Sequence, residues 1–179
     1  MTTPTEIPSL NSLDYISYLD ENGKIPESLQ GEIGVYAIFN QEKNLKYVGY
    51  SRNIYFSLKQ HFIRQNQDCY WLKLQTIERP SRTILEEIQK AWIDENGSIP
   101  LGNGEDKSLW NDPIQVRPFM TPEEQDQYQK TDDIGKEKLL KQAARRVEEQ
   151  ILSELKARGL QEEIRFNPKL KTSGLLDLK

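Results

Sequence analysis

The 179-residue chain has almost no cysteine: Cys69 stands alone, so no disulfide can form within the sequence. A lone thiol fits a reducing compartment, and a cytoplasmic location is expected. No apolar run approaches the ~20 residues that span a bilayer, which predicts no membrane segment. The opening residues, MTTPTEIPSL, lack the basic and apolar regions of a secretory signal. An excess of positive charge is missing as well. The formal net charge is −4, and between Gly31 and Asp112 ten Lys/Arg face eleven Asp/Glu. That excludes nucleic-acid binding through a broadly basic surface and leaves only local clusters of cations for phosphate contact. Histidine occurs once, as His61, and neither repeats nor low-complexity tracts are present.

What is present reads as alternating strands and helices. Leu10, Leu13, Ile16 and Leu19 recur at three- and four-residue steps and predict a short helix ended by Glu21-Asn22-Gly23. Val35–Phe39 and Leu45–Tyr50 are rich in β-branched and aromatic residues and flank five polar turn formers, the pattern of a hairpin. A helix from about Arg52 to Gln65 follows, with Ser51 or Asn53 as cap and Ile54, Leu58 and Phe62 on one stripe. Tyr70–Ile77 predicts a third strand. Pro80-Ser81 opens a second helix that buries Ile84, Leu85, Ile88 and Trp92 and stops at Gly97. Residues 102–118 are dense in Gly, Asp, Asn and Pro and read as loop. Beyond them Thr121-Pro122 starts a helix, and a longer one from about Gly135 to Arg158 carries the stripe Leu140, Ala144, Val147, Ile151 and Leu155.

The expected fold class is α+β: a small three-stranded antiparallel sheet flanked by helices, with a helical C-terminal extension. The expected division is an N-terminal helix and lead-in over 1–30, a central domain over 31–113 and the extension over 114–179.

Two tripeptides sit on the paired strands, Gly34-Val35-Tyr36 and Tyr47-Val48-Gly49, with ten residues between the tyrosines. Ser51, Asn53, His61, the pair Glu86-Glu87, then Pro100 and Asn103 follow in order. On these residues the chain resembles the GIY-YIG family of metal-dependent DNA-cutting nucleases, over about 73 residues from Gly31 to Asn103. The run Val48–Ile54, the Trp92-Ile93 region and the Pro100…Gly102-Asn103 ending are most similar to the branch that plants fuse to a chloroplast monothiol glutaredoxin. Cys69 sits in no glutaredoxin-like thiol motif, so a stand-alone relative of that branch is expected.

The resemblance implies a divalent-metal-dependent endonuclease acting on DNA. Phosphodiester hydrolysis needs an activated water, charge neutralisation on the phosphate and a metal ion on an oxygen. Tyr47 holds the family's general-base position, and Tyr36 would help orient water or phosphate. His61 would lie near the phosphate or leaving group. Mg²⁺ or Mn²⁺ would sit on Glu87 or, second, Glu86, with Asp94 and Glu95 as further candidates, since hard cations take oxygen ligands. One position departs from the pattern. The family's arginine, ten residues beyond the second tyrosine, is Ser57 here, and one lost charge contact can cost ~3 kcal/mol of transition-state stabilisation. Arg52, Lys59 and Asn103 are the candidate phosphate contacts that remain.

A rival expectation belongs to another class: a catalytically degenerate module of the same fold that binds a protein or nucleic-acid partner. Ser57, the acidic net charge and the amphipathic C-terminal helix support it; the apolar stripe of that helix either covers the domain's sheet or is a candidate surface for a protein partner. A third reading, thiol regulation through Cys69, requires an accessible sulfur.

Overall fold

The computed structural model describes residues 6–179, which form two compact units meeting in sequence at Asn111 and Asp112. The first is built on an antiparallel sheet of β1 (Ile16–Ser17), β2 (Ile33–Phe39), β3 (Leu45–Ser51) and β4 (Trp71–Ile77), in the order β1-β4-β2-β3. Helix α1 (Ile54–Gln65) follows β3, and α2 (Arg82–Asn96) follows β4. The hairpin, both helices and the third strand fall where the residue pattern puts them. Asn53 caps α1 by accepting from the Phe56 amide, and Ser81 caps α2 by accepting from the Ile84 amide. At the far end of α2, Gly97 takes φ +84, a conformation that glycine reaches without a Cβ penalty.

Strand alternation sorts the sheet residues onto two faces. Val35, Ala37, Phe39 and Val48 pack against Leu85, Ile88 and Trp92 of α2, with Leu10 closing the cluster. The opposite face carries Tyr36 and Ile38, which pair in register with Gly49 and Tyr47, and this face meets α1. Ile54, Leu58, His61, Phe62 and Ile63 are the buried residues of α1.

The expected N-terminal helix over 10–19 is corrected. Leu10–Ser12 forms one 3₁₀ turn, and Ile16–Ser17 becomes β1, which adds a fourth strand beside β4. Tertiary contacts override the local apolar period here. The Tyr18 amide donates to the Tyr70 carbonyl, and its buried ring stacks on Phe62 with its hydroxyl on the Leu58 carbonyl. Upstream, the Glu95 carboxylate accepts from Ser9 Oγ and the Leu10 and Asn11 amides, which pins the turn in place of a helical ladder. Residues 102–118 also hold more structure than a loop. Helix α3 (Lys107–Asn111) buries Trp110, and β5 (Ile114–Gln115) opens the second unit.

That second unit pairs β5 antiparallel with β6 (Leu175–Leu176) and adds α4 (Pro122–Lys130), α5 (Asp133–Ala157) and the short α6 (Pro168–Lys171). Thr121 and Glu124 form a complete capping box at the start of α4. The predicted stripe on α5 is buried, with Ala143 added to it, and α5 packs on α4, α6 and β6 of its own unit. Gly174, at φ +74, meets Leu140 and Val116. The stripe is therefore interior to the second unit, which corrects its assignment as a surface for a protein partner. The extension is also not purely helical, since β5, β6 and a bridge between Phe166 and Leu178 tie its two ends together. Among the described residues no helix is long and apolar enough to cross a membrane.

Candidate active site

Tyr36 on β2 and Tyr47 on β3 lie on one sheet face, and α1 brings His61 between them. Ring centroids are 6.1 Å apart for Tyr36 and Tyr47, 5.6 Å for Tyr36 and His61, and 4.6 Å for Tyr47 and His61. The Tyr36 hydroxyl is 2.8 Å from His61 Nε2. Gly49 makes this convergence possible. A Cβ there would lie 2.5 Å from Tyr47 Cε1 and 2.7 Å from the Tyr36 hydroxyl, so only glycine lets both rings cross the strand.

The cluster is sealed by α3. Trp110 lies flat on Tyr47, with centroids 5.2 Å apart and planes 2° from parallel. Asn111 Oδ1 accepts from the Tyr47 hydroxyl at 2.7 Å, and the Trp110 carbonyl accepts from Arg64 Nη1 at 3.0 Å. Tyr36, Tyr47, His61 and Trp110 are each no more than 6% exposed.

Burial sets the electrostatics of the cluster. It holds the Tyr36 hydroxyl well above its ordinary pKa and Tyr47 also above it; the Arg64 charge pulls both the other way without reversing them. Burial, aided by Arg64, lowers His61 to about 3, against a smaller opposing pull from the Trp110 backbone. At neutral pH the cluster is two neutral phenols and a neutral imidazole. A neutral imidazole cannot supply charge to a phosphate, so His61 acts here as a partner for Tyr36.

Ser57 also reaches the cluster, where its hydroxyl acts on Tyr36 as a hydrogen-bond partner, and the other predicted residues are dispersed. Ser57 donates to Ser51 Oγ, which in turn accepts from the Asn53 amide. Arg52 lines a separate cavity of about 290 Å³ with Pro80, Ser81 and Arg82, and Lys59 is half-buried on α1. Asn103 accepts from the Val48 amide and donates to the Val48 carbonyl, which also receives Gln89 Nε2. It thus closes the outer edge of β3. Glu86 is exposed and shared between Arg82 at 2.7 Å and the Tyr50 hydroxyl at 3.2 Å; Glu87 is exposed, and Glu95 is committed to the N-terminal turn. Cys69 is fully buried, with Sγ 3.8 Å from the His61 carbonyl, which removes the thiol-exchange reading.

A cavity of about 530 Å³ opens along the β3 edge beside Tyr47. Tyr47, Tyr50, Gln89, Asn103, Lys107 and Asn111 supply its polar lining. The α2 side chains that face it are Gln89, one turn beyond Glu86, and the apolar Ile93. The donor set is thus amides, phenols and one ammonium, with no carboxylate. Magnesium and manganese are usually bound through one or two carboxylates, with water and substrate phosphates completing the shell, and Lys107 would repel them. These residues do not fit a divalent ion, and among the described residues no three His, Cys, Asp or Glu converge on a metal position.

Residues 32–93 match the model of the GIY-YIG catalytic domain. The chain carries a GIY-YIG domain. The bifunctional monothiol glutaredoxin-S16 of Arabidopsis thaliana, a chloroplastic protein, is 30% identical over 110 residues. That stretch is 57% of this chain and 38% of the relative, so the chain spans well under half of the protein it resembles. The domain gives this chain a nuclease-type fold, and nucleases of the family generally depend on a divalent metal. Four residues of this GIY-YIG site escape the motif. Arg64 had a signal: it lies three residues after His61 and seven after Ser57, hence on the same helix face. Gln89 had a weaker one, its helical spacing from Glu86. Trp110 and Asn111 had none, because α3 is buried in a stretch of loop-forming composition.

Proposed function

We propose that the GIY-YIG domain of this chain binds a nucleic-acid strand along the β3 edge without cutting it through a metal-bound carboxylate. The observation that carries this reading is the identity of the polar α2 side chain on the Tyr47 cavity. Gln89 is neutral and already holds the Val48 carbonyl. Ser57 at the family's arginine position and the stacked Trp110 support the same reading, since the first removes a phosphate clamp and the second keeps water from the tyrosines. The cavity keeps what a strand needs: Lys107 for a phosphate and Tyr50 as a flat surface for a base.

Fluorescence anisotropy of a labelled single-stranded oligonucleotide on the full chain tests it. Binding that weakens as salt rises, and that falls about threefold to tenfold in Lys107→Gln, is the expected result. Binding that ignores Lys107 would remove the assignment of the groove.

One observation favours a second reading. The Arg64 guanidinium acts on Tyr36, Tyr47 and His61 together, so it offers the cluster the cation that Ser57 does not. On that reading the domain is a slow nuclease in which Tyr47 activates water once α3 has moved. It requires cleavage that is lost in both Tyr47→Phe and Arg64→Gln.

A further inference from the structure

The second unit contains a cavity of about 340 Å³ that lies outside the GIY-YIG domain. Its walls come from β5, the turn before α4, and α4 itself: Gln115, Arg117, Met120, Gln125, Tyr128 and Gln129. No carboxylate lines it. The Arg117 guanidinium sits 4.6 Å from the centre of the Tyr128 ring, and Lys136 Nζ, which is not a wall residue but comes from the first turn of α5, is 5.4 Å from the same ring. Neither cation joins an ion pair among the described residues, while three carboxylates of the same unit are occupied. Glu124 is held by Arg146, Asp126 by Lys130, and Asp132 caps α5. Two cations without a carboxylate partner on one tyrosine, beside three primary amides, offer positive charge and hydrogen-bonding groups to an anion.

We propose that this cavity is a nucleotide-unit site, taking the phosphate of a single-stranded nucleic acid between Arg117 and Lys136 and its base against the glutamines. The planar guanidinium gives bidentate phosphate contact and a flat surface for a base. Gln115, Gln125 and Gln129 offer both donors and acceptors to a base edge, with Gln125 oriented by its bond to the Met120 carbonyl. A phosphorylated peptide would use the cations and leave the amides without a role. The cavity is near the lower size for a small-molecule site, enough for one nucleotide rather than a folded partner. The proposal rests on the nucleic-acid reading of the chain but uses none of the residues assigned to the β3 edge.

The test uses the full chain, with Arg117→Gln, Lys136→Gln and Lys107→Gln compared in oligonucleotide binding across a salt series. All three positions are outside the buried core, so folding is expected to survive. Each cavity substitution is expected to weaken binding about fivefold and to lower the salt slope by about 1. Retained wild-type affinity in Arg117→Gln and Lys136→Gln, with loss in Lys107→Gln, overturns this site and leaves the β3 groove standing. The reverse pattern supports this site and removes the groove, and failure of wild type to bind removes both. A parallel NMR titration follows the side-chain amides of Gln115, Gln125 and Gln129 with adenosine monophosphate, inorganic phosphate and a phosphoserine peptide. Amide shifts with the nucleotide that exceed those with phosphate support the site, and the oligonucleotide arm then separates a free nucleotide from a strand as its source. Equal response to phosphate, nucleotide and peptide overturns it.

Discussion

Replacing Trp110 by alanine removes the side chain on which the closed state of the tyrosine cluster depends. The ring is 2% exposed, stacks on Tyr47, and lies against Gly102, where a Cβ would come within 2.8 Å of the indole nitrogen. Truncating a buried tryptophan costs about 3–5 kcal/mol, the transfer of the ring plus the void it leaves. The loss should appear in urea unfolding followed by circular dichroism, as a lower midpoint at nearly unchanged slope. A second signature is independent of stability. With the indole gone, water reaches His61, and its pKa, now about 3, should climb toward the ordinary 6.5 in an NMR titration of the single histidine. Trp110→Phe should keep most of the stability and a depressed histidine. A Trp110→Ala protein that loses under 1 kcal/mol and keeps His61 near 3 would refute the account of α3 as the seal.

His61 also makes stability depend on pH. Its pKa is depressed in the folded state, so below 6.5 the unfolded chain binds a proton that the folded one refuses, and stability falls by about 1.6 kcal/mol in all between pH 6.5 and 5, before carboxylates intervene. Urea midpoints across that window should drop in wild type and stay flatter in His61→Gln. Gly49→Ala should lose about 1–3 kcal/mol, because its methyl group meets both tyrosine rings; the urea midpoint reads this out. Asn103→Ala leaves the Val48 amide without its acceptor and should cost about 1–3 kcal/mol, with faster hydrogen exchange at that amide as the site-specific check.

Much of the first unit was legible because its signals are local. Asn53, Ser81 and Gly97 punctuate helices in the way their side chains dictate, and Tyr36, Tyr47 and Gly49 alternate on a hairpin whose turn composition is plain. What stayed hidden depends on long-range contact. Leu10, Leu13, Ile16 and Leu19 have a helical spacing, yet Tyr18 gains more by filling a slot beside Phe62 than the segment gains from a helix. Trp110 and Asn111 meet Tyr47 across more than sixty residues, and nothing around them in sequence hints at it. The acidic pair Glu86-Glu87 attracted the metal assignment because carboxylates carry that chemistry. The helix turns Gln89 toward the Tyr47 cavity, a distinction of one turn that composition does not resolve.

On the reading proposed above, this GIY-YIG domain engages nucleic acid without metal-dependent cutting. Nicking of supercoiled plasmid by the wild-type chain, with Mg²⁺ or Mn²⁺ and with chelator, tests it most directly, alongside the double variant Ser57→Arg, Gln89→Glu. The account predicts that wild type with metal matches the chelator control and that the double variant gains metal-dependent nicking. Metal-stimulated nicking by wild type that disappears in Tyr47→Phe would contradict it.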